Sequence, residues 1–300
     1  DTLDKREERY DKRSLISMLS KIVSHKLKEF FVDYVPDVVI GTHSYACMLI
    51  TYMREKGYIN CPTYGIITDF TVHPFWESTD LDYYVTPDIL LNRQMQKKGI
   101  PEEKVLPYGI PVKEKFSKKT AKETARKHLG IEDKTTILMI MGSMGFGNIE
   151  KNLKLIDSVE HDFQVLCVCG NNEKAKKAVD ETEWTKKVYS FGFVDNVDEM
   201  MDAADCIITK PGGLTTSEFL AKGLPAIILD PIPGQEDRNM EFLVNNGAAM
   251  MVTNTFPLDE AVYEMLHYPW RFDLLSQSVQ KLGKPDSTTR LCDFITSHLA

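Results

Sequence analysis

Two polar loops in the second half of the chain contain the residue types that bind phosphates and sugars. The first runs from Lys210 to Glu218 and reads Lys-Pro-Gly-Gly-Leu-Thr-Thr-Ser-Glu, directly after the apolar stretch 206–208. The second, residues 233–239, reads Pro-Gly-Gln-Glu-Asp-Arg-Asn. Adjacent glycines before a helix expose backbone N–H groups to an anion, and amide and carboxylate groups can bind sugar hydroxyls. The two loops predict a phosphate at a helix start with a polyhydroxylated group nearby.

Glu218 has two interpretations from the sequence. Thr215 and Glu218 have the spacing of a capping box, with Thr215 as the N-cap and Glu218 bonding back to its backbone. In the alternative, the Glu218 carboxylate accepts two hydrogen bonds from ribose hydroxyls, while Gly212 and Gly213 admit a diphosphate. The second loop is also open to two interpretations. Gln235, Glu236 and Asn239 either begin an ordinary polar helix or surround a ring of sugar hydroxyls.

The other unusual loops also follow predicted strands, and ligands of open α/β sheets bind beyond the carboxyl ends of the strands. These loops are Thr42-His43, Thr68-Asp69, residues 142–147, and residues 170–172. His43 and Asp69 are candidate general bases for an acceptor hydroxyl, although such residues often serve only as caps. His73 and Trp76, in the loop after Asp69, could line an acceptor groove or lie in an ordinary exposed loop.

Two common phosphate-binding motifs are excluded. Gly142, Gly145 and Gly147 give G-x-x-G-x-G rather than the dinucleotide G-x-G-x-x-G, and the next predicted strand ends in Gly-Asn-Asn without an acid for a ribose hydroxyl. Neither glycine loop is followed by Lys-Ser or Lys-Thr, as a P-loop requires. The glycines therefore indicate a phosphate site of another kind.

The elements that position these loops alternate between strand and helix, which favours parallel sheets covered on both faces. Predicted strands are residues 38–41, 63–67, 83–85, 105–109, 136–141, 163–169, 188–193, 206–209 and 226–229. Predicted helices are residues 45–56, 88–98, 197–204, 274–282 and 288–299, with others starting near 149 and after Gly212-Gly213. Ile110-Pro111 is a plausible junction, so we expect domains at 1–109 and 110–284, with residues 285–300 forming a helix that packs back on the first domain.

Composition sets further bounds. Three hundred residues suffice for two α/β domains, and a formal charge of −8 argues against general nucleic-acid binding. The six scattered cysteines contain no Cys-x-x-Cys pair of a zinc site and are typical of reduced thiols in a cytosolic protein. No apolar stretch is long enough to span a bilayer, and the charged first residues carry no secretory pattern. Residues 14–31 have the spacing of a basic amphipathic helix, which either packs on its own domain or contacts an anionic membrane surface.

These motifs resemble the enzymes that make monoglycosyl diacylglycerols: the plant monogalactosyldiacylglycerol synthases and the bacterial processive diacylglycerol glucosyltransferases. Both are related to the peptidoglycan N-acetylglucosaminyltransferase that forms lipid II, within glycosyltransferase family 28. The resemblance covers residues 37–252 and rests on Val38-Val39-Ile40 with Thr42-His43, Thr68-Asp69-Phe70, Lys210-Pro211-Gly212-Gly213 with Thr215 and Glu218, and Pro233-Gly234-Gln235-Glu236 with Asn239.

The resemblance implies a GT-B fold, in which two Rossmann-like domains with parallel sheets face a cleft. The donor UDP-hexose would bind the second domain and a diacylglycerol-type acceptor the first. The implied donor-binding residues are Gly142, Ser143, Gly145, Gly170, Phe193, Val194, Gly212, Gly213, Thr215, Glu218, Gln235, Glu236 and Asn239. Phe193 and Val194 would receive uracil, Glu218 the ribose, and Gln235 and Glu236 the hexose. Such enzymes invert the anomeric centre and usually need no metal, since N–H groups and a helix dipole stabilise the leaving diphosphate.

One departure concerns the start of the chain. Family members begin with a strand and a Gly-rich loop ending in His, roughly G-x-G-H, which is not found here, and the chain begins with Asp. We therefore expect the first domain to be truncated at its N-terminus, which leaves Asp69 or His43 as the base.

The leading hypothesis is an inverting transfer of hexose from a UDP-sugar to a diacylglycerol hydroxyl, by a cytoplasmic protein bound peripherally to the membrane. The alternatives are a UDP-N-acetylglucosamine 2-epimerase and a non-catalytic UDP-sugar-binding subunit that needs a partner.

Overall fold

The computed structural model describes residues 27–142, 147–234 and 236–299. The chain divides into two compact units, Asp1–Ile110 with Thr289–Ala300, and Pro111–Thr288.

The first unit contains a sheet of four parallel strands in the order β1-β2-β3-β4. Every residue of β2 is buried, as expected for a parallel strand covered on both faces. The strands are β1 (Val39–Gly41), β2 (Thr63–Ile66), β3 (Tyr83–Val85) and β4 (Val105–Leu106). The helices are α1 (Ser44–Glu55) and α2 (Asn92–Lys97), with 3-10 turns at Pro74–Ser78, Ile89–Leu91 and Glu102–Lys104; residues 27–34 are also helical.

The second unit contains a sheet of six parallel strands in the order β10-β9-β8-β5-β6-β7. The strands are β5 (Thr136–Ile140), β6 (Gln164–Val168), β7 (Lys187–Phe191), β8 (Cys206–Thr209), β9 (Ala226–Ile228) and β10 (Ala249–Met251). The helices are α3 (Glu114–Ser117), α4 (Lys122–Leu129), α5 (Ile149–Asp157), α6 (Glu173–Glu181), α7 (Val197–Ala203), α8 (Gly213–Lys222), α9 (Glu236–Asn245), α10 (Leu258–His267) and α11 (Pro269–Leu282). The first strand of this unit, β5, lies inside the sheet. Strands β6 and β7 follow on one side of β5, and after a crossover β8, β9 and β10 follow on the other side.

The C-terminal helix α12 (Ser287–Leu299) contributes to the core of the first unit. Leu291 is buried with Tyr64 of β2 and Val85 of β3. One turn further along, the Phe294 ring meets the Tyr83 ring edge to face, with centroids 4.9 Å apart. The end of the chain therefore belongs structurally to the first unit.

Some elements differ from the sequence predictions. Helices α3, α4, α6 and α10 and strand β10 were not predicted, and the predicted helix 88–98 is a 3-10 turn followed by α2. Helix α11 begins at Pro269 rather than at residue 274, because proline is well suited to the first helical position.

A buried ion pair secures α8 within the second unit. The Lys222 amine lies 2.7 Å from the Asp202 carboxylate, and the two side chains are only 1% and 5% exposed. Lys222 also donates to the Lys118 carbonyl, and Asp202 accepts from the Thr120 N–H. Removing one partner of such a pair leaves an uncompensated buried charge, which costs much more than an exposed pair contributes.

We expect Lys222→Met to lower the free energy of unfolding by about 3–5 kcal/mol in urea denaturation. The matched control is Lys177→Met, because Lys177 pairs with Glu181 at 3.6 Å with both side chains mostly exposed. That control should cost less than about 1 kcal/mol. Equal losses for the two variants would contradict the structural role of the buried pair.

Candidate functional site

The loops that the sequence analysis selected in the second unit leave one edge of its sheet. Ile140 of β5 pairs in register with Thr209 of β8 and with Val168 of β6. Thr209 is in turn level with Ile228 of β9, and Val168 is level with Phe191 of β7. All five loops therefore start side by side. Strands β5 and β8 are neighbours, and the strands that follow each of them in sequence extend the sheet in opposite directions. Open parallel sheets bind ligands at such a switch point.

The glycine turn after β8 opens directly into α8. Gly212 is the N-cap and makes no side-chain cap bond, while its carbonyl accepts the Thr216 N–H at 2.8 Å. Because α8 starts at Gly213, Thr215 lies within the first turn and is not the N-cap. The capping-box interpretation of Thr215 and Glu218 is therefore wrong. The uncapped N–H groups of the first turn, at the positive end of the helix dipole, are suited to an anion.

The Glu218 carboxyl group lies in the second turn of α8, and the residue is half-buried. Burial raises its pKa to about 7, while Lys115 and Lys113 act in the opposite direction and Asp198 adds to the rise. Within the described residues, no group hydrogen-bonds to this carboxylate. A desolvated acceptor group without a protein partner is what a pair of ligand hydroxyls would satisfy.

Helix α9 brings the second polar loop onto the glycine turn. The Glu236 Oε2 atom accepts the Ile232 N–H at 2.8 Å, and Asp237 accepts the Gly234 N–H at 2.8 Å, so the loop is closed by its own side chains. A Cβ atom built on Gly212 would lie 3.5 Å from Glu236 Oε1. The Glu236 carboxylate thus lies beside the turn that faces the proposed diphosphate, while Gln235 falls outside the described residues.

Asn239 acts from beneath the loop instead of facing a ligand. Its side chain is completely buried, and its amide donates to the Pro211 carbonyl at 2.9 Å. The predicted direct contact between Asn239 and a hexose does not fit this position. The geometry makes Asn239 a support that ties α9 to the residue before Gly212.

We expect Asn239→Leu to leave the Pro211 carbonyl unpaired in the interior, at a cost of about 1–3 kcal/mol in unfolding free energy. Because the freed turn carries Gly212, affinity for UDP should also fall, as measured by calorimetry. Asn246→Leu is the matched control, since the half-buried Asn246 amide donates to the Phe242 carbonyl at the other end of α9, away from the glycine turn. Unchanged UDP affinity in Asn239→Leu would argue against the support role.

Two further loops bring glycines to the same edge. Gly142 after β5 and Gly170 after β6 have φ values of 78° and 58°, a left-handed conformation that favours glycine. Ser143 and Gly145 fall outside the described residues. Asp230, which follows β9, also has a positive φ of 47°, and its carboxylate lies 3.4 Å from where a Cβ of Gly147 would be. The sequence analysis missed Asp230, although an acid just beyond a buried strand was available as a signal.

The loop after β7 carries Phe193 and Val194. The Phe193 ring is 65% exposed, so a planar base can stack on it. Helix α7 follows, and Asp198 in its first turn forms an ion pair with Lys115, with Nζ and Oδ1 2.8 Å apart. Lys115 also donates to the Asp195 carbonyl. Sequence reasoning missed these contacts, because they join α3 to a loop far away in the chain.

In the first unit, His43 and Asp69 follow β1 and β2 at the same edge of the sheet. His43 is the N-cap of α1, and its Nδ1 atom accepts the Tyr45 N–H at 3.2 Å. The neutral imidazole therefore carries its proton on Nε2 and offers a donor to the outside. Asp69 is half-buried. His73 likewise caps the turn at Pro74–Ser78, and its ring packs on Phe75, while Trp76 is buried in the core rather than exposed in a loop.

Among the residues that the structure describes, no three His, Cys, Asp or Glu side chains come together as a possible metal site. None of the described helices is long and apolar enough to cross a membrane.

Family models and sequence relatives of this chain agree on one group of proteins. Residues 2–112 match the monogalactosyldiacylglycerol (MGDG) synthase family, and residues 136–285 match the glycosyltransferase family 28 C-terminal domain. A processive diacylglycerol beta-glucosyltransferase of Bacillus pumilus (strain SAFR-032) is 30% identical over 296 residues, which are 95% of this chain and 75% of the relative. Its counterpart in Bacillus thuringiensis (strain Al Hakam) is 29% identical over 294 residues, 96% of this chain and 74% of the relative.

Solved structures share the fold. Acinetobacter baumannii MurG superposes with a TM-score of 0.65 at 17% identity, covering 90% of this chain and 76% of MurG. The S. aureus MnaA–UDP complex gives a TM-score of 0.66 at 16% identity, covering 95% of this chain and 82% of MnaA. These likenesses identify the α/β fold as GT-B, as the sequence predicted. With the sequence relatives and the two matched families, they place the chain in the glycosyltransferase family 28 group that contains the processive diacylglycerol beta-glucosyltransferases.

Proposed function

We propose that this protein is an inverting glycosyltransferase that moves a hexose from a UDP-sugar to the hydroxyl of a diacylglycerol-type lipid. The observation that carries the proposal is the edge of the second unit. There, an uncapped helix start, a desolvated carboxylate and an acidic side chain beside the glycine turn come together. The relatives named as diacylglycerol glucosyltransferases supply the acceptor class.

The donor half of the site follows from the chemistry of these groups. The N–H groups at the start of α8, with the loop beginning at Gly142, hold the diphosphate and stabilise its charge as it leaves. The Glu218 carboxylate accepts the two ribose hydroxyls, and the exposed Phe193 ring stacks on uracil next to Val194. Glu236, with Gln235 beside it in sequence, binds hydroxyls of the hexose.

The transfer step needs a base on the acceptor side. The acceptor oxygen forms a bond to the anomeric carbon while the bond from that carbon to the β-phosphate oxygen breaks, and UDP leaves with the electron pair. Asp69 takes the hydroxyl proton. His43, with its proton on Nε2, donates a hydrogen bond to the acceptor instead of serving as the base. Attack opposite the leaving group inverts the anomeric centre.

The acceptor edge of the first unit suits a lipid. Tyr45, Ile89 and Leu90 follow β1 and β3 at this edge and are 38%, 61% and 53% exposed. Exposed apolar side chains at the sheet edge that also carries Asp69 favour an acceptor with hydrocarbon chains. We place the reaction at a membrane surface, with the protein bound peripherally on the cytoplasmic side. All six cysteines are free thiols, which fits a reducing compartment.

The test is incubation with labelled UDP-glucose or UDP-galactose and diacylglycerol in mixed micelles, followed by extraction of the lipid. We expect a glycolipid from one of the two donors, with β configuration at the new bond by proton NMR. UDP binding without glycolipid from either donor would favour the non-catalytic subunit. Epimerisation of UDP-N-acetylglucosamine without any acceptor would favour the epimerase; a solved structure of a putative UDP-N-acetylglucosamine 2-epimerase from Listeria monocytogenes shares the fold at 16% identity.

A further inference from the structure

Lys115 joins two parts of the second unit that the proposed function assigns to uridine. Its Nζ atom lies 2.8 Å from Asp198 Oδ1 and also donates to the Asp195 carbonyl. The Lys115 side chain is about one third exposed and that of Asp198 one fifth exposed. Lys115 thus contacts the end of the loop that contains Phe193 and Val194.

That loop leaves a strand at the edge of the six-stranded sheet. It connects β7 to α7, whose N-cap residue Asn196 makes no side-chain cap bond, and the Phe193 side chain projects into solvent. The Asp198 carboxylate lies in the first turn of α7, where the helix dipole favours a negative charge. The ion pair and the bond to the Asp195 carbonyl therefore fix both the helix start and the backbone just after Val194.

Lys115 is also close to Glu218. Helix α3, which carries Lys115, packs against α8, which carries Glu218. The charged groups that act on the Glu218 carboxyl are Lys115 and Lys113 from α3 and its N-cap, which lower its pKa, and Asp198 from α7, which raises it. Lys115 thus pairs with Asp198, next to the loop proposed to bind uracil, and also acts electrostatically on Glu218, which is proposed to bind the ribose.

We propose that Lys115 is a positioning residue that holds the Phe193-Val194 loop in register with Glu218 for recognition of uridine. This latch, defined as Lys115 with Asp195 and Asp198, rests on the proposed UDP-sugar function and assigns a role to a residue that is not among the proposed UDP contacts. A diphosphate-binding role for Lys115 is less suitable, because two of its three N–H donors are already occupied by Asp198 and the Asp195 carbonyl.

The binding experiment measures the affinity of the whole chain for uridine and for UDP by calorimetry. We expect Lys115→Met to weaken both ligands by the same factor, about five- to tenfold at pH 8. Lys115→Arg should restore most of the affinity. The matched control is Lys118→Met, since among the described residues the Lys118 side chain, on the C-terminal side of α3, pairs with the exposed Glu114. Circular dichroism melts exclude loss of folding as the cause.

The pH dependence of the same binding gives a signature that a merely structural role would not produce. Lys115→Met should move the midpoint of UDP binding to higher pH, because Glu218 loses a neighbouring positive charge. Asp198→Asn should weaken binding as well, but move the midpoint to lower pH, because Glu218 loses a neighbouring negative charge. Midpoints of UDP binding that move in opposite directions in the two variants, together with weaker UDP binding in both, would support the latch.

Three results would overturn the inference. A loss of UDP affinity without loss of uridine affinity would make Lys115 a diphosphate ligand. Unchanged binding in Lys115→Met, with a wild-type chain that binds UDP, would remove the latch and leave the proposed function intact. A wild-type chain that binds neither uridine nor UDP would overturn the proposed function and the latch together.

Discussion

Replacement of Asp69 by Asn is expected to lower kcat for glycolipid formation by at least about 100-fold, since a positioned general base contributes 10²–10⁴-fold. Asn has the size and shape of Asp but cannot accept the proton of the acceptor hydroxyl. The affinity for UDP should be unchanged, because Asp69 belongs to the first unit and the proposed UDP contacts all belong to the second. A fall in kcat without loss of UDP binding would identify a group used in the chemical step.

His43 is the necessary comparison, because the sequence alone made it an equal candidate. In the structure its Nδ1 atom is occupied by the Tyr45 N–H, which leaves the protonated Nε2 facing outward. His43→Asn keeps an N-cap oxygen for α1 and removes the Nε2 donor, so folding should be retained. We expect this variant to lose about tenfold in kcat, the worth of one neutral hydrogen bond of about 1 kcal/mol or slightly more.

Initial rates with labelled donor in mixed micelles, at saturating acceptor, would measure both variants. A larger loss of kcat in His43→Asn than in Asp69→Asn would reverse the assignment and make the imidazole the base.

Much of the fold was predictable because its strands are buried and bounded by glycine or polar residues. Strands β3 and β8 have the predicted limits, and β5 and β6 differ from the prediction by one residue at their ends. Parallel strands that are covered on both faces must be continuously apolar, and this pattern is local. Strand β10 was missed because Ala249, Met250 and Met251 are equally suited to a helix.

The candidate site was harder to predict than the fold. Which residue caps α8 depends on where the backbone turns after Pro211, and the capping-box spacing of Thr215 and Glu218 fits a later start equally well. The inward direction of Asn239 depends on how α9 is rotated against the glycine turn. The contact between Lys115 and Asp195 spans 80 residues of sequence, and no local pattern contains it. Sequence spacing selected the loops, but tertiary packing decides which side chains face a ligand.

Glu218→Gln is expected to have two large effects of opposite sign: weaker UDP binding and a more stable fold. At pH 8 the carboxylate is the proposed acceptor for two ribose hydroxyls. Hydrogen bonds to a charged group contribute about 1.5–3 kcal/mol each, and Gln retains only one neutral acceptor. We therefore expect UDP affinity to fall by at least about 100-fold at pH 8, and by less at pH 5.5, where the wild-type carboxyl is itself protonated.

The stability effect follows from burial of the same carboxyl group. Its pKa is raised from 4.5 to about 7 in the folded chain, so the folded state binds the proton more tightly than the unfolded state does. Below pH 4.5 both states are protonated and the group contributes nothing. Between pH 4.5 and 7 the unfolded chain releases the proton first, so stability falls, and above pH 7 the full cost of burying the carboxylate is present.

Glu218→Gln removes that cost, so without ligand it should raise the free energy of unfolding at pH 8 by on the order of 1–3 kcal/mol and change it little at pH 4.5. Urea denaturation at the two pH values measures the difference, and Glu241→Gln, at an exposed position on α9, is the control that should show neither effect. A variant that is less stable at pH 8 would mean that the ionised carboxylate supports the fold. A variant that is more stable but has lost affinity for UDP would mean that the ionised Glu218 carboxylate destabilises the fold and is required for nucleotide binding.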